Sequence, residues 1–272
     1  MTTMLDNALT WTPALTELLL ITSICVAILM LAAWLVSLPL KNASIADIVW
    51  GGGFVLITWI AFFTVNRPLD IRQALLVGIP TFWGLRLSLH LFRRNHGKPE
   101  DERYKAMRAQ HPKGFEWVSL VTVFGLQGVL MFIVSLPVQL GQLQPSAPLS
   151  WLACAGLALC AVGLFFEVLG DWQLAQFTKN AANKGKTMNT GLWRYTRHPN
   201  YFGDSCVWWG LGLIALQTPY GAWGLLGPAL ITYLLTQVSG VPMLEKAMLK
   251  RNPAYKDYQA VTSAFIPWPP KK

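Results

Sequence analysis

The chain has 272 residues, of which 53% are hydrophobic and 13% charged, with thirteen tryptophans and a formal net charge of +9. A soluble domain carries roughly 25% charged residues, so this composition excludes an ordinary soluble enzyme. In so apolar a chain, surplus lysine and arginine mark loops beside anionic lipid and not a nucleic-acid surface.

A helix needs about 20 apolar residues to cross the hydrocarbon core of a bilayer. Residues 18–40 are the first such stretch, free of charge. The stretch is too long for a signal-peptide core and lacks a basic leader, so it is read as a retained span. Residues 48–65 follow, then 73–92, interrupted by Arg86 and His90. Residues 118–140 carry glutamines but no charge, and 149–177 hold Glu167 and Asp171. Residues 201–216 and 222–241 complete the set, joined by a tight turn at Pro219 and Gly221. The fold class is therefore all-α: a polytopic membrane protein of about seven transmembrane helices in a single membrane domain, 1–272. Within it, residues 14–140 supply helices one to four and 149–272 supply helices five to seven, with their loops and tail. Cys25, Cys154, Cys160 and Cys206 lie in apolar stretches without CxxC or zinc spacing, so neither a metal site nor a disulfide framework is expected.

Seven spans put the termini on opposite sides, and cations then sort by side. With the C-terminus inside, nineteen of the 22 lysines and arginines fall in cytoplasmic segments. Arg67 and Arg72 fall outside, and Arg86 lies within the third span. The expected topology is N-terminus out and C-terminus in, in a bacterial inner membrane.

An ionisable group inside a bilayer is a functional candidate by default. Asp47 opens span two, Arg86 and His90 come late in span three, and Glu167 and Asp171 late in span five. Asp204 is early in span six and Glu245 follows span seven. The topology carries all of them to the cytoplasmic half. Glu167 and Asp171, four apart, share a helix face, where a cation such as Arg86 or Arg197 neutralises them or one of them is protonated. Asp47 reads equally well as a helix cap. The triplet Gly51-Gly52-Gly53 reads as close helix packing, and residues 93–113 as either a flap or a solvated basic connection.

A second cluster precedes span six: Arg194, Tyr195, Arg197, His198, Asn200 and Tyr201 fall within eight residues. Arginines offer paired donors to phosphate, a helix start adds backbone N–H groups, and the tyrosines suit stacking on a purine or ribose. Composition alone equally allows a lipid-headgroup anchor.

Residues 191–204, GLWRYTRHPNYFGD, resemble a signature of membrane reductases and methyltransferases acting on lipids. RHPNYFGD is similar to a stretch in sterol double-bond reductases, and a looser RHPxYxG form occurs in isoprenylcysteine carboxyl methyltransferases. Glu245, Tyr255, Tyr258 and Phe265-Ile266-Pro267 resemble the C-terminal region of steroid 5α-reductases. WGLRLSLHLFRRNHGKPEDERY at 83–104 and SIADIVWGGGF at 44–54 resemble an uncharacterised bacterial branch of that family.

The resemblance implies an NADPH-dependent reductase of an activated carbon–carbon double bond in a hydrophobic substrate drawn from the bilayer, with its active site facing the cytoplasm. It implies that Asp171, Tyr195, Asn200 and Asp204 contact or support the cofactor, together with Arg194, Arg197, His198, Tyr201, Glu245 and Tyr258. Arg86 matches an arginine near the nicotinamide end. Trp83 stands where the family has a substrate-holding tyrosine, and the family's Gln-Glu pair has no clear counterpart; Asp47 is the nearby acid. The expected catalytic group is thus Asp47, Trp83, Arg86 and Glu167, with the proton coming from Asp47 or from water. The alternatives are an S-adenosylmethionine-dependent methyltransferase and a non-enzymatic lipid-binding or transport protein.

Overall fold

The computed structural model describes residues 12–66, 69–143 and 148–271; Arg67, expected outside, lies beyond the described residues. Among these residues every regular element is helical. Six helices are long and apolar enough to cross a bilayer, and the protein is an integral membrane protein.

Helix α1, Pro13–Leu40, starts where Thr12 accepts from the Leu15 N–H at 3.3 Å, with proline in the first turn. It stops at Lys41, whose left-handed backbone (φ 49°) turns its N–H back onto the last carbonyls. Helix α2, Ile45–Val65, ends the same way at Asn66 (φ 47°). Helix α3, Ile71–Asn95, is capped by Asp70, which accepts from the Gln73 N–H at 2.8 Å, and ends on Arg93 and Arg94 at its negative pole. The basic connection then folds into a short helix, α4, Glu102–Gln110, capped by Asp101.

Helix α5, Phe115–Gly141, was expected to run unbroken. It instead contains a π-helical turn, Leu120–Gly125, and a break at Ser135, one turn before which the chain must prepare for Pro137, a residue with no N–H to donate. Helix α6 is Trp151–Lys179. The expected sixth span forms α7, Pro199–Ala215, of 17 residues. At 1.5 Å per residue it is about 25 Å long, shorter than the roughly 30 Å hydrocarbon core. Helix α8, Gly221–Arg251, contains a second π-helical turn, Leu234–Val238, and a bend at Ser239 and Gly240, and runs ten residues beyond the expected end at 241. A last short helix, α9, Tyr255–Val261, leads into the tail.

The chain divides into two compact units: unit 1 is Met1–Ser150 with Ile214–Leu226, and unit 2 is Trp151–Leu213 with Gly227–Lys272. The expected division at 140/149 therefore loses one segment of its second half, because residues 214–226 pack on the end of α5. Thr218 donates to the Leu140 carbonyl at 3.4 Å, and Gly224 and Gly141 lie against Pro137 and Ala215. Tyr220 joins Leu15, Leu18, Ala61, Leu140 and Leu143 in an apolar cluster at this end.

Glycines set the closest helix contacts in each unit. In unit 1 a Cβ on Gly51 would stand 2.4 Å from the Gly84 carbonyl oxygen, so the backbones of α2 and α3 touch, as the triplet predicted. In unit 2, Gly156, Gly163 and Gly170 recur every seven residues along α6. They face Gly210, Gly203 and the Pro199–Asn200 start of α7 in turn, and a Cβ on Gly163 or on Gly210 would stand 2.5 Å from the facing glycine's carbonyl oxygen. A strict seven-residue seam keeps two helices in register along their length.

Candidate functional site

Unit 1 gathers its polar groups where the basic connection meets the start of α2. Asp47 lies in the first turn of α2, but it is not the cap: the helix begins after Ser44, and the Asp47 side chain points to the connection. Its Oδ1 accepts from the Tyr104 hydroxyl and its Oδ2 from Arg103 Nη2, both at 2.6 Å. Gln127, just past the π-helical turn of α5, donates to the Tyr104 hydroxyl at 3.2 Å. The return contacts come from the connection itself. Glu100 accepts from the Ala43 N–H at 2.8 Å and from two nitrogens of Arg108 at 2.9 and 3.0 Å, while Ser44 Oγ accepts from the Asp101 N–H at 2.8 Å.

The electrostatics follow. Burial, and then the Asp47 carboxylate, hold the Tyr104 phenol far above its ordinary range, so it keeps its proton. Burial works against the Arg103 charge, but Asp47 and Asp101 outweigh it and raise its pKa. Burial likewise pushes Glu100 upward, and the Arg108 and Ala43 donors overcome it, leaving the carboxyl below its usual value.

The other unit 1 candidates sit on α3. Trp83 is fully buried, its ring edge-on to Phe54 at 5.4 Å. Arg86 lies three residues further along, half-buried. Between α2 and α3, Ser88 donates to the Ile48 carbonyl at 2.7 Å and accepts from the Gly52 N–H at 2.8 Å, which ties the site's two helices together.

Unit 2 holds Glu167 and Asp171 on the glycine face of α6, both buried. Asn200, at the start of α7, donates to Asp171 at 3.3 Å, and its own oxygen accepts from the Tyr201 N–H. Asp204 stands one turn further along α7, half-buried. Arg86 belongs to unit 1 and Glu167 to unit 2, so the two are described separately.

Arg197 and His198 meet Glu245 of α8. Arg197 donates to both Glu245 oxygens at 2.6 and 3.2 Å, and His198 Nε2 lies 3.0 Å from Oε1. Gln259 of α9 donates to Glu245 Oε2 at 2.6 Å. Arg197 Nη1 also reaches the carbonyls of Gln259 and Thr262, so the guanidinium is shared between Glu245 and the segment after α8. The His198 ring stacks on Tyr201 at 5.3 Å. The Tyr258 hydroxyl donates to the Trp193 carbonyl, and the Arg197 and Trp268 N–H groups donate to Ser263 and Tyr195 carbonyls. Burial pushes the phenols of Tyr255 and Tyr258 upward, and neighbouring negative charge adds to it. Arg194 and Tyr195 face outward.

Unit 2 also has an open cleft of about 330 Å³, lined by Trp172, Gln173 and Phe177 of α6 and by Asn180, Asn183 and Thr190 of the following connection. That connection also carries Lys184 and Lys186.

Several residues here carry no motif in the sequence: Gln127, Gln259 and Glu100 attract no attention by spacing. Tyr104 closes the DERY stretch, but nothing local marks its hydroxyl as buried beside Asp47. Only docking of the connection brings it there.

The chain belongs to the family described as "Protein of unknown function (DUF1295)", whose model matches residues 33–262. It is 26% identical over 276 aligned residues to the uncharacterized protein C594.04c of Schizosaccharomyces pombe, covering 86% of this chain and 75% of that one. No solved structure matches.

Proposed function

We propose that this protein is an NADPH-dependent reductase of an activated carbon–carbon double bond in a hydrophobic substrate, of the steroid 5α-reductase-like kind, working at the cytoplasmic face of a bacterial inner membrane. The reading rests first on the unit 2 cleft between α6 and the connection that follows it, whose lining ends at Gly191, the first residue of the GLWRYTRHPNYFGD stretch. Exposed Trp172 offers a face to a flat ring, and neutral amides suit the donor and acceptor edges of a base. Lys184 and Lys186 suit phosphates. These residues fit a dinucleotide better than a wholly apolar ligand. The resemblance to lipid-modifying membrane enzymes supplies the reaction class.

NADPH, when bound, supplies a hydride to the electron-poor carbon of the double bond. The protein's share is to polarise the conjugated oxygen and to deliver one proton to the neighbouring carbon. Asp47 was the expected acid, but both of its oxygens accept from donors, which suits a proton acceptor. In this reading Tyr104, kept protonated by Asp47 and Gln127, orients the polar end of the substrate, and the proton comes from water. Trp83 and Arg86 form the wall on α3, and Glu167 supports the α6–α7 seam. Arg197, His198, Glu245 and Tyr258 hold the tail that frames the cofactor loop, leaving Arg194, Tyr195, Asn200, Tyr201, Asp171 and Asp204 nearest the ligand.

The test is thermal stability of the detergent-purified protein with NADPH, NADH or S-adenosylmethionine. A ligand of the folded state at a hundredfold excess over its dissociation constant adds about 2.7 kcal/mol. Stabilisation by NADPH that is lost in Asn200→Ala supports the reading. Stabilisation by S-adenosylmethionine alone makes the protein a methyltransferase, and silence from all three favours lipid binding or transport.

A further inference from the structure

The connection between α3 and α5 differs from an ordinary loop in how it is bounded and how it is fastened. It begins at Gly97 (φ +71°) and ends at Gly114 (φ +84°), and a Cβ built on either would meet nothing within 4 Å. Left-handed backbone favours glycine on conformational grounds alone, and open space around both glycines lets the backbone turn without collision. Residues 98–113 are therefore a strap between two swivels.

The fastenings lie between the swivels. From the strap, Glu100 takes the Ala43 N–H and the Asp101 N–H reaches Ser44. From α2, Asp47 takes Arg103 and Tyr104. Their strengths differ. Glu100 is nearly enclosed, its side chain 7% exposed, whereas the Arg103 side chain is 42% exposed. An ion pair so open to water contributes roughly 0–1 kcal/mol and weakens with salt. Closing the strap also buries Tyr104 to 6% exposure and covers its bonds to Asp47 and Gln127.

We propose that residues 98–113 form a hinged lid over the polar group of unit 1, with Asp47–Arg103 as its releasable latch: release of the latch swings the strap about Gly97 and Gly114, carries Tyr104 away with it and uncovers Asp47 and Gln127. In the reductase reading, on which only this last use rests, the lid admits the polar end of a substrate and then excludes water from it. The short SIADIVW and GKPEDERY stretches, far apart in sequence, are the two halves of this one fastening.

The test follows trypsin cleavage of the full-length protein in detergent, mapped by mass spectrometry. Lys105 and Arg108 report the strap, and Lys184 and Lys186 report unit 2. The wild type is expected to resist cleavage in the strap at low salt and to be cut several-fold faster there in 1 M sodium chloride. Asp47→Asn is expected to raise the low-salt strap rate several-fold with the unit 2 rate unchanged. A disulfide between Ser44→Cys and Asp101→Cys, oxidised in the Asp47→Asn background, is expected to restore protection that dithiothreitol removes. Equal strap rates in wild type and Asp47→Asn overturn the lid. So does a wild-type rate indifferent to salt, or cleavage that persists through the disulfide. A general rise in Asp47→Asn, at Lys184 and Lys186 as well, also counts against it unless the wild-type salt response is confined to the strap. None of these readouts involves turnover or NADPH, so the lid and the reductase reading fail separately.

Discussion

Asp47 in unit 1 and Glu245 in unit 2 hold partners of the same kind. Each carboxylate takes an arginine and the residue that follows it: Arg103 and Tyr104 in the first case, Arg197 and His198 in the second. Each also has a glutamine at the edge of the group, Gln127 or Gln259. The two differ in their access to water. The Arg197 and Glu245 side chains are 10% and 12% exposed, against 42% for Arg103. Two similar charge patterns thus have different worth, because solvent sets the strength of an ion pair more than its geometry does. The first is a fastening that salt can loosen, and the second is an anchor for the tail.

The largest test of that contrast is Glu245→Ala. Removing one partner of a buried pair strands the other, at about 3–5 kcal/mol. Thermal denaturation should fall accordingly, and protease should cut the tail near Lys256 first. A loss no larger than that of Asp47→Asn would erase the distinction between the units.

Next come the helix seams, where the units should behave alike. Gly163→Ala sets a Cβ 2.5 Å from the Gly203 carbonyl oxygen, and Gly51→Ala sets one 2.4 Å from that of Gly84. Neither backbone can retreat without moving a helix, so each should cost about 1–3 kcal/mol. Gly78→Ala in α3 meets nothing within 4 Å and should be neutral or gain up to about 1 kcal/mol, as helix propensity dictates. Equal losses at all three positions in thermal denaturation would show that glycine content, not close approach, governs stability.

Each unit should also loosen at both ends of the pH scale, for the same physical reasons. Tyr255 and Tyr258 have folded pKa values raised above the ordinary 10.0. Their contribution is complete below pH 10 and is lost as pH rises beyond it. Glu100 has a folded pKa below the ordinary 4.5. Its contribution is complete above that value and fades as pH falls through the lower folded value. Glu245, pushed up by burial but held down to about 2 by His198, Arg197 and Gln259, behaves in the same way, and Tyr104 of the strap behaves as the tail phenols do. Limited proteolysis should therefore loosen both strap and tail at either extreme; a tail that stays protected in acid contradicts the assignment. The smallest effect belongs to Arg103→Gln, which should lower thermal stability by no more than about 1 kcal/mol at low salt and less at high salt.

Much of the architecture was legible beforehand because burial in a bilayer leaves a long, strong imprint. The apolar runs located the long helices to within about five residues, except that α8 continues ten residues past its expected end, and Gly51–Gly53 lie in a close helix contact. The exceptions are instructive. Residues 201–216 looked like one more crossing helix, yet they form a 17-residue helix whose last two residues join unit 1. Hydropathy reports what a segment avoids and not which neighbour it packs on. The seven-residue glycine series of α6 was visible in the sequence and went unused. The π-helical turns were not visible, since they arise from packing rather than from composition.

The candidate site divides in the same way. Ionisable residues inside apolar stretches announced themselves, because a charge in hydrocarbon is costly enough to require a reason. Sequence by itself determined an all-helical membrane protein, the ionisable residues set within its apolar stretches, and its basic connections. Only the tertiary structure decided which group each charge would meet: that Asp47 holds Tyr104 and Arg103, that Arg197 and His198 serve Glu245, and that Glu100 fastens a strap between two open glycines. Partition into lipid is a property of segments about 20 residues long and sums along the chain. A hydrogen bond needs two atoms from distant segments within about 3 Å, and that coincidence exists only once the chain has folded.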